Sequence, residues 1–320
     1  MELIALLALL AAAAPPAADL ELRASPVPLD PLDPTRARLG QLEFRGGLEL
    51  VSPDPRFGGW SGLAVTPDGT ELRAISDQGH WLEARIRHDP EGRLAGLDDV
   101  RTGPLLGVAG LPLAGKRDAD AESLALLPGG ALLVGFEHRS RILEYAGGLA
   151  ARPRSVPGPA ELDELPDNGG LETLLALRDG RLLALSEALA EGPFRVGWLR
   201  EAEQWSRILY EPALDFDPTD ADQLASGELV VLERAYSVIR GPRCRLVRVP
   251  ADQVRPGATL RGELLAELSR PLAVDNFEGL SAVPGAAGRT LLYLLSDDNY
   301  DRHGQRTLLL LFELDGADER

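Results

Sequence analysis

The sequence predicts an all-β protein, a β-propeller of four-stranded blades. Three observations predict this fold class. Glycine and proline number 34 and 25 among the 320 residues, which indicates many turns. An apolar run, a tight glycine turn and a second apolar run recur along the chain. The copies begin about 45 to 61 residues apart, which brackets the ~40–50 residues of a propeller blade.

Each copy predicts a β-hairpin. In most copies the two apolar runs flank Asp-Gly or Gly-Gly, and such pairs favour type I′ turns, in which both central residues need positive φ. The copies cover residues 60–77, 122–137, 172–187, 217–233 and 278–297. Further strand candidates, at residues 141–145, 194–199, 243–249 and 306–314, give three or four strands in each unit. We therefore expect five blades, and the longer separations leave room for a sixth blade of divergent sequence.

The chain before the first hairpin predicts a signal peptide, an extension and a closing strand. Residues 3–14 are an apolar run too short to span a bilayer, and they end in small residues. We expect a signal peptide over residues 1–18, cleaved after Ala18, and hence an exported periplasmic or secreted protein. The alternative is a buried N-terminal helix. Residues 19–40 are then an N-terminal extension and residues 41–320 a single propeller domain, in which residues 41–50 supply the outer strand of the last blade and close the ring.

Charge and cysteine content exclude several classes of function. The formal net charge is −17, with 50 acidic residues against 33 Lys and Arg, whereas nucleic-acid binding requires clustered positive charge. The single cysteine, Cys244, forms no internal disulfide, and no Cys/His cluster suits zinc or iron–sulfur. No second apolar run approaches the length of a membrane span. We expect a monomer that acts on a small molecule, with any metal held by oxygen atoms.

Acidic residues recur at two positions of the hairpins. The start of the first strand holds Ser61, Glu122, Glu172, Asp217 and Glu278, and the end of the second strand holds Asp77, Glu137, Glu187, Glu233 and Asp297. An antiparallel hairpin brings these two positions side by side, and the first strand of each blade lines the central channel. We therefore expect the acids to meet at one mouth of the channel. Close carboxylates repel one another unless protons or a cation neutralise them, and Ca²⁺ with six to eight oxygen ligands is the simplest such cation.

A structural reading of the same acids stays open. Acids at strand ends accept hydrogen bonds from turn N–H groups or pair with an arginine of the next blade. Arg73, Arg139 and Arg234 lie close to the two positions in sequence. The number of equivalent carboxylates favours a functional mouth, because blade packing alone does not require them.

Five motifs carry a resemblance to a known family. They are SGLA (61–64), GGLETLLALRDGRLLALSE (169–187), GELVVLER (227–234), DNFEGLSA (275–282) and LLSDDNY (294–300). They resemble the phytase-like propeller domain described as having esterase-like activity, over about residues 44–315. The resemblance implies an exported bacterial propeller related to metal-dependent phosphate-ester hydrolases.

The resemblance extends to individual acids. Glu122, Glu172 and Glu278 match the acid of the family's E-G/S-L motif. Asp77 and the run Asp297-Asp298-Asn299 match its SD and SDDN motifs. Ser61 departs from the pattern because it offers no carboxylate.

Basic residues are scarce for a phytase-like substrate. A highly phosphorylated substrate needs Lys or Arg beside the metal. The chain has one lysine, Lys116, and no basic cluster near the acids, where the candidates are Arg234, His138 and Arg139. We therefore expect a smaller or less charged ester.

These observations together predict an exported, calcium-dependent hydrolase of phosphate or carboxylic esters. The expected calcium ligands are Asp77, Glu122, Glu172, Glu278 and Asp297. Glu187 or Glu233 would be the general base, and Arg234 a further catalytic residue. A serine hydrolase is not indicated, because the G-x-S-x-G motif is absent. The alternative is a non-catalytic, calcium-stabilised binding propeller of the cell envelope.

Overall fold

Glycine turns and apolar runs divide the chain into five mainly antiparallel sheets. The computed structural model describes residues 17–166, 168–301 and 303–315. The predicted signal peptide therefore lies outside the described residues, apart from Ala17 and Ala18. No helix in the described ranges is long and apolar enough to cross a bilayer.

The strands vary in length from two to eleven residues. In chain order they are β1 (Ala18–Asp19), β2 (Arg23–Pro26), β3 (Arg38–Leu39), β4 (Leu42–Val51), β5 (Trp60–Val65), β6 (Glu71–Ser76), β7 (His80–His88), β8 (Leu94–Pro104), β9 (Ala121–Leu126), β10 (Leu132–Phe136), β11 (Arg141–Tyr145), β12 (Arg154–Val156), β13 (Leu171–Ala176), β14 (Leu182–Glu191), β15 (Phe194–Glu201), β16 (Gln204–Tyr210), β17 (Asp217–Gln223), β18 (Leu229–Ser237), β19 (Gly241–Val249), β20 (Thr259–Leu260), β21 (Glu263–Ser269), β22 (Asn276–Pro284), β23 (Thr290–Asp297) and β24 (Thr307–Leu314). Helical structure is limited to α1 (Lys116–Ala119) and to 3₁₀ turns at Ala160–Glu164, Ala251–Gln253 and Ala286–Gly288.

Each sheet is one blade of a propeller. From the channel outwards, blade 1 is β5-β6-β7-β8, blade 2 is β9-β10-β11-β12, and blade 3 is β13-β14-β15-β16. Blade 4 is β17-β18-β19-β21, and blade 5 is β22-β23-β24-β4. The innermost strand of every blade contacts the innermost strand of the next, and β22 contacts β5. The described residues thus form a closed ring of five blades, without the sixth blade for which the sequence left room.

The ring is closed by a strand from the start of the chain. β4 pairs antiparallel with β24, from Leu42 opposite Leu314 to Leu50 opposite Thr307. This confirms the prediction that residues 41–50 complete the last blade. Residues of the predicted extension also join blade 5, because β2 and β3 both pair with β4.

The hydrophobic core lies between the blades. The buried apolar residues form five clusters, and each cluster joins two neighbouring blades. Leu246 of blade 4, for example, shares a cluster with Leu310 of blade 5, and Phe136 of blade 2 shares one with Ile75 of blade 1. Strands buried on both faces read as continuous apolar runs, which is the pattern of the hairpins. Burying each such side chain contributes about 1.5–3 kcal/mol.

Small residues allow the innermost strands to approach one another. A Cβ atom on Gly279 of blade 5 would lie 2.7 Å from Cβ of Leu63 in blade 1. A Cβ atom on Gly62 would lie 2.9 Å from Cβ of Leu124 in blade 2. The glycine of the EGL motif is therefore required by ring packing, one residue after the acid that it accompanies.

Candidate functional site

Every blade has a β-bulge that leaves one residue of the innermost strand without a paired residue on the second strand. In blade 2, Ala121 pairs with Phe136 and Ser123 with Gly135, so Glu122 has no partner. The same shift occurs in the other four blades. The bulged residues are Ser61, Glu122, Glu172, Thr219 and Glu278. A bulge bends its strand and redirects the side chain, which explains why the acidic position repeats at the same end of the blades.

The register corrects two sequence assignments in blade 4. Pro218 pairs with Glu233, and Asp220 with Leu232, so Thr219 is the bulged residue and not Asp217. Arg234 follows Glu233 as Asp77 follows Ser76 in blade 1. The predictions that Asp217 and Glu233 occupy the repeated positions are therefore wrong. The first position belongs to Thr219, two residues after Asp217, and the second to Arg234, one residue after Glu233. A shift of one residue in a strand moves a side chain to the opposite face, so Arg234 takes the place of an acid.

Glu233 is part of the packing between blades 3 and 4. Its side chain is only 1 % exposed. Oε1 accepts a hydrogen bond from the Tyr210 hydroxyl at 2.7 Å and one from the Ala213 N–H at 3.2 Å. Arg245 lies 3.6 Å from the other carboxylate oxygen. These contacts leave Glu233 outside the acidic cluster of the mouth.

The structure brings the other predicted acids together at one mouth of the channel. We define the acidic mouth as Asp77, Asp120, Glu122, Glu137, Glu172, Glu187, Glu278, Asp297 and Asp298. It contains all five predicted calcium ligands and the predicted base Glu187. The members come from blades 1, 2, 3 and 5, with only Arg234 and Thr219 at the equivalent places of blade 4.

Burial and mutual repulsion raise the pKa values of Glu122, Glu172 and Asp297. Burial is the larger cause for Glu122, and repulsion from Glu172 adds to it, so the pKa of Glu122 lies well above its ordinary value. Burial likewise raises the pKa of Glu172 well above the usual range, and repulsion from Glu187 adds to the effect. The pKa of Asp297 is also raised well above its usual value, first by burial and then by Glu278. Without a further cation, the mouth therefore retains protons at pH values where exposed carboxylates have lost them.

Lys116 supplies one cation that the sequence did not place at the mouth. Its Nζ atom lies 2.9 Å from Oδ2 of Asp77 and 2.7 Å from Oδ1 of Asp120. Burial opposes the charge, but the ion pairs with Asp120 and Asp77 hold the pKa of Lys116 above its ordinary value. Asp77 precedes Lys116 by 39 residues, so only the folded chain brings them together.

Arg234 supplies the second cation and connects three blades. Its guanidinium donates to Oδ1 of Asn276 at 2.6 Å and to Oε1 of Glu278 at 3.0 Å. It also donates to Oε1 of Glu187 at 3.2 Å. Among the described residues, Lys116 and Arg234 are the only Lys or Arg side chains that pair with the nine carboxylates of the mouth, so the carboxylates there outnumber the cations.

Asp120, Glu137 and His138 form a smaller group that sequence analysis did not identify as a set. One ligand atom from each lies within 4.8 Å of the others, a spacing that suits a metal ion. His138 Nε2 is 3.1 Å from Oδ2 of the fully buried Asp120. Glu137 already accepts a hydrogen bond from the Gly170 N–H at 2.8 Å. The available signal was Asp120, which precedes the bulged Glu122 by two residues.

The two adjacent acids of the SDDNY loop, Asp297 and Asp298, make different hydrogen bonds. Asp298 accepts hydrogen bonds from the Gly59 N–H at 3.0 Å and from the Tyr300 N–H at 3.1 Å. Gly59 has φ of 63°, and a Cβ atom there would lie 2.3 Å from Oδ1 of Asp77. Glycine is thus required for the loop to approach the mouth. Asp298 organises the loop, while Asp297 has one oxygen that accepts the Asn299 N–H at 2.6 Å.

A cavity lies at the other end of the channel. It has a volume of about 520 Å³ and is lined by the second halves of the innermost strands and by their hairpin turns. Its walls are mainly aliphatic, as at Leu63, Leu124, Leu174 and Leu280. The acidic mouth and this cavity therefore occupy opposite ends of the channel.

Several solved structures resemble the chain at low sequence identity. A protein described as a candidate gluconolactonase is 14 % identical, with a TM-score of 0.45 and 93 % of each chain covered. A protein of unknown function from Dyadobacter fermentans is 12 % identical, with a TM-score of 0.45, and the match covers 88 % of this chain and 86 % of that one. Virginiamycin B lyase from Staphylococcus aureus is 8 % identical, with a TM-score of 0.41 and coverage of 91 % and 99 %. We draw no conclusion about activity from these similarities.

Sequence comparison gives a family. No curated protein sequence matches the chain significantly. A family model described as "Phytase-like: Esterase-like activity of phytase" matches residues 55–300, which include every acid of the mouth. Because that match covers most of the chain, the protein belongs to the phytase-like family named for the esterase-like activity of phytase.

Proposed function

We propose that this protein is a metal-dependent hydrolase of phosphate or carboxylic esters, with its active site at the acidic mouth. One observation carries the proposal. Carboxylates from four blades meet at one end of the channel with pKa values raised by burial and mutual repulsion, and too few cations accompany them. Family membership supports the class of reaction.

The donor atoms suit a hard divalent cation. All the donors are carboxylate oxygens, which Ca²⁺ prefers, and Oδ1 of Asp77 has no hydrogen-bond partner among the described residues. Asp77, Glu122, Glu172, Glu278 and Asp297 would hold the ion. A calcium ion bound there supplies positive charge that polarises the ester and stabilises the negative charge developing during hydrolysis.

Glu187 is the proposed general base. Its side chain is 25 % exposed, in contrast to the nearly inaccessible Glu233. One oxygen accepts from Arg234, and a carboxylate retains further lone pairs to take a proton from water. Glu233 is not retained in the proposed site, because its contacts are those of a packing residue.

Arg234 and Lys116 are proposed to bind the anionic part of the substrate. Both lie among the carboxylates, and Lys116 is about half exposed. The sequence indicated a shortage of basic residues, whereas the folded chain supports binding of one phosphate or carboxylate group. A small ester with few charges remains the proposed substrate, since two cations do not suit a highly phosphorylated one.

A non-catalytic propeller stabilised by calcium is the second candidate. The observation that favours it is an ion-pair network: Arg234 already pairs with Glu187, the proposed base, and with Glu278, a proposed calcium ligand. In that case calcium would raise the melting temperature without any turnover of esters.

A panel of phosphate and carboxylic esters tests the two candidates. We expect hydrolysis that stops when a chelator is added and resumes with Ca²⁺. Glu122→Gln should abolish it with the fold intact by circular dichroism. Glu203→Gln, which changes an exposed glutamate far from the mouth, should leave it unchanged. Calcium-dependent stability without turnover would favour the binding propeller, and insensitivity to both calcium and chelator would reject the metal site.

We also propose export and a monomeric state. The support for export is the apolar run at residues 3–14, which ends in small residues. N-terminal sequencing of the exported protein should begin at Asp19, and light scattering should give the mass of one chain. Retention of Met1 in the mature protein would reject the signal peptide.

A further inference from the structure

The most exposed apolar side chains are concentrated at one place on the surface. Among the described residues, Val238 is 91 % exposed, Ile239 96 % and Tyr236 71 %. Leu214 is 88 % exposed on the loop before blade 4. Only Leu32, at 80 %, is a comparably exposed large apolar residue elsewhere in the described ranges. Such exposure is costly in water and commonly marks an interaction site when several residues cluster.

Tyr236, Val238 and Ile239 lie at the tip of a hairpin that projects past the acidic mouth. Arg234 is at the mouth, and the ladder of β18 and β19 continues beyond it until Ser237 pairs with Gly241. At the rise of an extended strand, Ser237, the last residue of β18, lies roughly 10 Å farther along than Arg234. We define residues 236–240 as the apolar tip.

The base of the hairpin is held firmly. The loop that carries Leu214 packs against it, because the Ala213 N–H bonds to Glu233 and the Phe216 ring lies 4.8 Å from the guanidinium of Arg243. The apolar tip is therefore presented on a supported ladder, and its exposure is a property of the fold.

Positive charge surrounds the apolar tip in a strongly acidic protein. Arg240 lies in the turn, Arg243 follows it on β19, and Arg270 lies against Gly241. None of the three forms an ion pair with another described residue, although most arginines of the chain do. The nearby loop contributes two acids, Asp215 and Glu211, and Glu211 pairs with Arg261. The apolar tip thus combines aliphatic side chains with unneutralised guanidinium groups, whereas the whole chain carries a formal charge of −17.

We propose that the apolar tip docks the protein on an anionic lipid surface. Val238 and Ile239 insert among the acyl chains, Tyr236 lies at the headgroup level, and the arginines contact lipid phosphates. A protein partner is a poorer fit, because a stable protein interface needs about 800 Å² per partner and a narrow turn offers little area. The tip stands on the mouth end of the propeller, so docking directs the acidic mouth towards the lipid. The inference does not depend on the proposed hydrolysis.

Vesicle flotation of the full chain tests the proposal. The vesicles contain either phosphatidylcholine alone or phosphatidylcholine with phosphatidylglycerol, and a chelator is present throughout so that calcium does not bridge the mouth to the lipid. We expect flotation with the anionic vesicles, weakened by added salt, and little with phosphatidylcholine alone. Val238→Asp/Ile239→Asp should weaken binding by more than about tenfold. Arg240→Gln should weaken it about fivefold.

Leu32→Asp is the control, because it places an aspartate on an exposed leucine of the loop between β2 and β3, outside the apolar tip. Its binding should equal that of the parent protein, and all variants should keep the parent melting temperature. Two results would overturn the proposal. One is no flotation of the parent protein with anionic vesicles. The other is equal flotation of the parent and of Val238→Asp/Ile239→Asp, which would assign lipid contact to another surface.

Discussion

The role of each carboxylate depends more on its neighbours in the folded chain than on its residue type. Glu187 and Glu233 were equivalent in sequence, yet Glu187 meets Arg234 at the mouth while Glu233 is buried against Tyr210. The same residue type therefore serves a candidate reaction at one position and blade packing at the other. The difference arises because adjacent residues of a strand face opposite sides.

Arg234 provides a test at this scale. Arg234→Gln removes the charge-assisted hydrogen bonds to Glu187 and Glu278 and leaves both acids in a more negative mouth. In chelator, we expect the free energy of unfolding to fall by about 2 kcal/mol. Urea denaturation measures it. Arg85→Gln is the comparison, because its ion pair with Asp99 is exposed to solvent and contributes less than about 1 kcal/mol. Equal losses in the two variants would contradict a central position for Arg234.

At the scale of the element, the bulged hairpin is the unit that builds the mouth. Each blade repeats the same interruption of pairing, and the residue at the bulge is an acid in three of the five blades. Blade 1 has Ser61 and blade 4 has Thr219 at that position. A common backbone device therefore presents different chemistry from blade to blade.

Glu233 and Tyr210 test the corrected register. Tyr210→Phe removes the hydroxyl that donates to Glu233, so the free energy of unfolding should fall by about 1–2 kcal/mol. Neither Tyr210→Phe nor Glu233→Gln should alter the calcium-dependent rise in melting temperature, whereas Glu172→Gln should reduce it. Differential scanning calorimetry with and without calcium gives both quantities. A loss of the calcium effect in Glu233→Gln would return that residue to the mouth.

At the scale of the whole molecule, the excess negative charge is organised. Part of it is gathered where five blades converge, and part of the positive charge is placed on a projecting tip at the same end. The cavity at the opposite end has mainly aliphatic walls. The two ends of the channel therefore differ in chemistry, although one repeated hairpin builds both.

The stability of the chelated protein should depend on pH in a stated direction. Glu122, Glu172 and Asp297 have pKa values raised by burial and repulsion, so the folded chain binds more protons than the unfolded chain above pH ~4. The free energy of unfolding should therefore fall as pH rises from ~4 through the raised pKa values. Burial also raises the pKa of Asp222, away from the mouth, to about 6.

Calcium separates these contributions. The ion replaces protons among the mouth acids, so it should remove the part of the fall that they cause. It should leave the part due to buried acids away from the mouth, such as Asp220 and Asp222. Urea denaturation at a series of pH values, with chelator or with calcium, measures both curves. A free energy of unfolding that rises between pH 5 and pH 8 in the chelated protein would contradict this prediction.

The sequence by itself determined the propeller. Repeated apolar runs with glycine turns specify hairpins locally, and the strand at residues 41–50 was the correct closing strand. Both signals can be read from the sequence, because the two-residue period of a strand and the repeat of one blade each lie within a continuous stretch of chain. The clustering of the acids was also an accessible inference, since equivalent positions of a ring converge.

Only the tertiary structure decided which residues share the mouth in blade 4, and which cations accompany the acids. A bulge adds one residue without a local signal, so sequence placed Asp217 and Glu233 where Thr219 and Arg234 stand. Lys116 reaches Asp77 only because the segment after blade 1 folds back over the mouth. Register and long-range contacts depend on the packing of the whole ring, and no single stretch of sequence contains them.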